Sequence, residues 1–164
     1  MRWTYLNENK EAPRKYQEGL FTAISAGFFL LLVGTLFVIT PDLFDNILSF
    51  FGNLKIVDVP NTDVVFFGPQ LPQSHLTLYQ AVGQFSIATG IFQIVILALR
   101  FVVPSSWEKR SETVGNFVYW TGVAVLIQFF LLESTQWFVF WSTILIIAGV
   151  SFVVRAAVMA ISRI

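Results

Sequence analysis

Few side chains in this sequence can do chemistry, and those that stand close together gather at one place. His75, the single histidine, lies four residues before Tyr79, so the two share a helical face. Gln80 and Gln84 form a second pair at the same spacing. An imidazole, a phenol and two amides at a helix mouth can contact a lipid head group, a quinone or a small solute. The plainer role for His75 is to cap or anchor a helix start at the membrane interface. Asp58 and Asp63 lie upstream, but one histidine with scattered carboxylates has no metal-ligand spacing. The chain has no cysteine, which removes disulfides, thiolate metal sites and cysteine nucleophiles. No Gly-x-Ser-x-Gly, P-loop, dinucleotide fingerprint or His-Glu-x-x-His occurs. The sequence therefore predicts no catalytic residue, no metal site and no cofactor. Zero formal net charge argues against a nucleic-acid partner, which needs a basic field.

Polar groups within the apolar stretches are also few. Gln80, Gln84, Ser86, Thr89 and Gln93 fall in one of them, where they can line a polar path or hydrogen-bond between helices; the second role is favoured. Arg100 and Arg155 sit near one end of their stretches and can snorkel to the surface. Glu133 lies at the opposite boundary. Without ionisable groups at mid-membrane depth or a proline inside a span, a transporter has little support.

These residues are carried by four long apolar segments, about 19–40, 76–103, 114–132 and 137–161. The first, Gly19–Thr40, is uncharged, apolar on all faces and about 33 Å long as a helix, enough to cross a bilayer. It is too long for a signal-peptide core, and no small-residue cleavage site follows it. With 55% hydrophobic and 12% charged residues, and 18 Phe and 5 Trp, the composition is that of a membrane protein. The predicted fold class is an all-α membrane protein. It is a four-helix transmembrane bundle, one domain over 1–164, with an outer amphipathic helix and a small β-hairpin between spans 1 and 2.

Residues 1–18 read as a polar tail with helix entry near Pro13, and Trp3, Tyr5 and Tyr16 as interfacial aromatics. In the loop 41–75, Thr40-Pro41-Asp42 reads as N-cap, first-turn proline and dipole-matching carboxylate. Leu43, Phe44, Ile47, Leu48 and Phe51 then share a helical face. Leu54–Val59 and Asp63–Phe67 flank Pro60-Asn61-Thr62 as a hairpin that Gly68-Pro69 and Pro72 should end. A lone hairpin is marginal in water, so it must lean on helix ends or on a partner. Phe44, Phe51, Phe66 and Phe67 are the candidate partner-docking residues. Pro104 stops span 2, and Ser105 with Glu108 fits a capping box for the next helix. Glu133-Ser134-Thr135-Gln136 reads as a tight turn.

Arg2, Lys10, Arg14, Lys15, Arg100, Lys109, Arg110, Arg155 and Arg163 fall on one side of a four-span arrangement, and Lys55 alone on the other. By the positive-inside rule both termini are cytoplasmic and the loop 41–75 is outside. Small residues recur seven apart in each span: Gly27/Gly34, Gly83/Gly90, Gly115/Gly122 and Ser142/Gly149/Ala156. These glycines are read as helix-packing positions, since small side chains let membrane helices approach closely.

FFLLLVGTLFVITP (28–41), DVPNTD (58–63), ALRFVVPSSWEKRSE (98–112) and WFVFWSTILIIAGVSFVVRA (137–156) resemble a group of small archaeal four-span membrane proteins. That resemblance implies an archaeal plasma membrane and says nothing of an activity. The layout is also similar to that of claudin-type proteins, in topology alone, because the two loop cysteines of that pattern are missing. The expected function is a non-catalytic integral membrane subunit of a larger complex, with membrane lipids and other subunits or further copies as partners. The alternative is a small binding or transport module using His75, Tyr79, Gln80 and Gln84.

Overall fold

The computed structural model describes residues 2–103 and 105–161, with side chains from residue 16 onward except residue 17. The readings of Trp3, Tyr5, Pro104 and Arg163 fall outside the described side chains. The order is α1 (Arg2–Ile39), α2 (Leu43–Gly52), β1 (Leu54–Asp58), β2 (Val65–Pro69), a 3₁₀ turn (Pro72–His75), α3 (Leu76–Val102) and α4 (Trp107–Leu126). A π-helical segment (Ile127–Glu133) and α5 (Trp137–Ile161) follow. Four helical segments are long and apolar enough to cross a membrane: Glu18–Ile39, Pro72–Val102, Trp107–Glu133 and Trp137–Ile161. They suggest a multi-pass membrane protein.

Several boundaries differ from the sequence reading. α1 begins at Arg2 and runs through Pro13, because the residues around that proline are mostly strong helix formers and one lost backbone bond does not end so long a helix. Thr40 does not cap α2; its amide closes the last turn of α1 on the Leu36 carbonyl at 3.0 Å. Asp42 takes the cap position in a left-handed conformation, φ 51°, with no side-chain capping bond. Gly68 and Pro69 do not end the hairpin but belong to it, paired with Lys55 and Leu54. Asn61 makes the tight turn with φ 63°, a conformation asparagine tolerates better than most residues. At α4 the cap is Ser106, whose Oγ accepts from the Lys109 amide at 3.3 Å. The expected Ser105–Glu108 capping box is therefore not formed: the cap falls one residue later, with Lys109 at N3, and Ser105 bonds elsewhere.

The spans do not close into a symmetric four-helix bundle. α3 packs along α4, and α4 along α5, while α1 meets the others chiefly through α3 and α2. The helices stand in a row, α1–α3–α4–α5, with α1 and α5 at its edges. Close approach within the row is set by small residues. A Cβ on Gly122 would stand 2.6 Å from Ile147 Cγ2, and one on Gly90 3.0 Å from Thr121 Oγ1. Gly83 faces Ile127 and Gly115 faces the Ser151 carbonyl, at 3.3 and 3.2 Å for the same added atom. A Cβ on Gly27, Gly34 or Gly149 would meet nothing within 4 Å among the described residues, so the expected helix packing at these three is not made within the described part of this chain. Each lies on a helix at the edge of the row.

One core joins Tyr79, Val123, Leu126, Ile127, Leu131 and Phe140, and a smaller one joins Leu36, Leu43 and Ala81. α2 covers the second. Its apolar face is wider than its contact: Leu43 is buried and Ile47 and Phe50 partly so, while Phe44, Leu48 and Phe51 remain exposed.

Candidate functional site

Two polar sites and one furrow stand out, and their residues come from elements far apart in sequence. At the hairpin end, the 3₁₀ turn starts on Pro72, whose fixed φ suits a first helical position, and delivers His75 and Tyr79 inward. His75 is 1% and Tyr79 3% exposed. The His75 Nε2 lies 3.3 Å from Asn53 Nδ2, and its ring meets Phe50 edge to face at 5.2 Å. Trp137 stacks on Tyr79 at 6.4 Å and also touches Phe50 and Phe140. The Tyr79 hydroxyl has no hydrogen-bond partner among the described residues. This is an aromatic plug that locks α2, α3 and α5 together.

Trp137 also holds the hairpin. Its ring lies against the backbone at Gly68, where a Cβ would come within 3.0 Å of it, and its Nε1 donates to the Phe67 carbonyl at 3.4 Å. Phe66 adds an edge contact to Phe138 at 6.2 Å. The hairpin thus leans on the start of α5. Sequence reading missed Trp137; its place directly after the tight turn was the available signal, since a ring there can reach back over a preceding loop. Within that turn Thr135 has φ 50°, an uncommon conformation for a β-branched residue.

At the opposite end, Arg100 does not snorkel. It is 8% exposed; one terminal nitrogen donates to Glu18 Oε1 at 3.2 Å and to Ser105 Oγ at 2.9 Å. Ser105 Oγ donates to the same carboxylate oxygen at 3.0 Å, and the guanidinium lies 4.8 Å above the Phe21 ring. Because charges held away from water need a partner, this node ties α1 to α3 and to the α3–α4 connection. Arg110 reinforces it: its Nε donates to the Arg100 carbonyl at 3.1 Å, and its guanidinium lies over Phe101 and Trp107.

Tyr79 and His75 are separated from Gln80 and Gln84, contrary to the single mouth expected. Successive helical residues point about 100° apart, so Gln80 turns away from the plug. Gln80 and Gln84 instead line an open furrow of about 780 Å³ between α3 and α4, shared with Thr121 and Gln128. The interhelical hydrogen bonds expected from the polar residues of span 2 are also not formed among the described residues. Ser86 Oγ bonds back to the Val82 carbonyl of its own helix at 2.8 Å, as serine often does, and Thr89 Oγ1 is buried without a hydrogen-bond partner among the described residues.

Of the partner-docking candidates, Phe44, Phe51, Phe66 and Phe67 are all exposed, by 48 to 64%. Phe66 and Phe67 alternate across the two faces of the hairpin. Asp58 and Asp63 stay exposed on it, and among the described residues no three His, Cys, Asp or Glu side chains come together. No family model, no curated protein and no solved structure matches this chain.

Proposed function

We propose that this chain is a non-catalytic integral membrane subunit, a structural or accessory component of a larger membrane protein complex. The observation that carries the reading is the open row of helices. Only 6% of the most apolar stretch of α1, and the same share of α5, is buried within the chain. A closed bundle would join these edges to each other. Here they remain available, and Gly27 and Gly34 on α1 leave room for another helix to approach. The exposed Phe44, Phe51 and Phe67 at the hairpin end extend the same apolar surface beyond the spans. On this reading the chain has no catalytic step of its own, and its neighbours are lipids and other membrane subunits. Both termini are cytoplasmic and the loop 41–75 faces outward, by the bias of basic residues. The archaeal plasma membrane is the proposed location, from the segment resemblance given above.

The test is purification of the tagged full-length chain from its source membrane in a mild detergent, with particle mass and subunit composition measured together. A second polypeptide in fixed stoichiometry, released when Phe66 and Phe67 are replaced by alanine, supports the proposal. A particle containing this chain alone, as monomer or homo-oligomer, overturns it.

A further inference from the structure

The furrow between α3 and α4 has a polarity gradient along its length. At the hairpin end its walls carry three amides: Gln80 and Gln84 from α3, and Gln128 from the π-helical segment. Further along α3 come Ile87, Ile91 and Ile94, one stripe of a regular helix. From Gln84 to Ile94 is ten residues, about 15 Å of helix. Gly83 and Ile127, which pack against each other, also line the furrow. A site of several hundred Å³ that is mostly apolar, with a few convergent polar groups, has the dimensions of a small-molecule pocket.

The amides lack partners. Gln80 and Gln84 are exposed and make no hydrogen bond to any described residue. Gln128 spends one donor on Glu133 Oε1, at 3.3 Å. Within a segment able to cross a membrane, an amide left without a partner is costly, so whatever fills the furrow must meet these groups. Among the described residues no charged side chain lines it, Glu133 standing behind Gln128 and bonded to it. A charged head would find no counter-charge among the lining side chains, whereas a carbonyl or ester oxygen accepts from an amide NH2 and a hydroxyl can both donate to and accept from an amide. Unlike the expected mouth, this site has neither His75 nor Tyr79.

We propose that the furrow seats one uncharged-headed amphiphile, its carbonyl or hydroxyl oxygens held by Gln80, Gln84 and Gln128 and its apolar tail lying along Ile87, Ile91 and Ile94. That chemistry has two sources: the uncharged glycerol region of a neutral bilayer lipid, and a free neutral amphiphile such as a quinone. The inference is independent of whether the chain joins a complex.

The full-length chain, stripped of lipid in detergent, is titrated separately with dioleoylglycerol, whose head carries only hydroxyl and ester groups, and with decylubiquinone, and bound probe is counted by native mass spectrometry. One tightly retained molecule per chain is expected. Its affinity should fall about tenfold in the Gln84→Leu, Gln128→Leu variant, the equivalent of two membrane hydrogen bonds of ordinary strength. Retention of the dioleoylglycerol alone assigns the seat to a neutral glycerolipid; retention of the quinone in its place assigns it to a free amphiphile. Ile91→Trp leaves every amide intact and fills the tail region, so it should also weaken retention. The proposal is overturned if neither probe is retained, or if both variants bind as well as the parent.

Discussion

Replacing Glu18 by glutamine tests whether the Arg100 node holds α1 in the row. The two side chains are unequal: that of Arg100 is 10% accessible and that of Glu18 33%. After the change, the guanidinium keeps Ser105 Oγ and the Phe21 ring, while its Nε already lacks a hydrogen-bond partner among the described residues. Removing one partner of a fully enclosed ion pair costs about 3–5 kcal/mol. A third of Glu18 is open to its surroundings and glutamine still offers an acceptor oxygen, so the expected loss is about 1–2 kcal/mol. Arg100→Met should cost less, below about 1 kcal/mol, because the carboxylate it strands is the more accessible group and retains the Ser105 hydroxyl. The double variant holds neither charge and should resemble Arg100→Met alone, a coupling equal to the Glu18→Gln cost, about 1–2 kcal/mol. The absence of cysteine allows nitroxide labels at Ile24 and Leu99, both exposed, and their separation can be followed as SDS is added to micelles. Costs that add to within about 0.3 kcal/mol, or an Arg100→Met variant weaker than Glu18→Gln, would refute the claim that a largely buried charge is what the node satisfies.

Gly122→Leu should destabilise the α4–α5 contact by about 1–3 kcal/mol through overpacking against Ile147. Gly149→Leu, with nothing within 4 Å of it, should be neutral or slightly stabilising; SDS-unfolding midpoints for the two variants check the contrast. Trp137→Ala removes the ring that touches Phe50, Tyr79, Phe140 and the backbone at Gly68, and should cost about 3–5 kcal/mol. Hydrogen exchange should rise in both strands of the hairpin before it rises in α4, and unchanged protection of the strands would contradict the role given to this ring.

Four spans, the surface helix and the hairpin were legible in the chain because each depends on local properties: the length of an apolar run, a period of 3.6 or 2, and a turn residue such as Asn61. A bilayer strengthens that legibility, since a backbone in hydrocarbon must satisfy its own hydrogen bonds and so forms helices wherever the run is long enough. Cap positions were less legible. Ser105 and Ser106 are equivalent as sequence, and only the demand of Arg100 for an acceptor leaves Ser106 to cap α4.

The order of the helices was decided by tertiary structure alone. Hydrophobicity does not rank one apolar helix face against another when lipid is as apolar as leucine, so the row α1–α3–α4–α5 follows from shape and from a few polar contacts. Gly122 is at a close approach while Gly34, with the same spacing pattern, is open. Glu18 and Arg100 are 82 residues apart, and no local period encodes that pairing. The same holds for the division of His75 and Tyr79 from Gln80 and Gln84. Two elements remote in sequence, Phe50 on α2 and Trp137 on α5, close over the first pair, while Gln128 joins the second across a furrow. Composition determined that this chain has the helices of a membrane protein; contacts between distant side chains decided which of its polar residues were sealed inside and which were left facing an open groove.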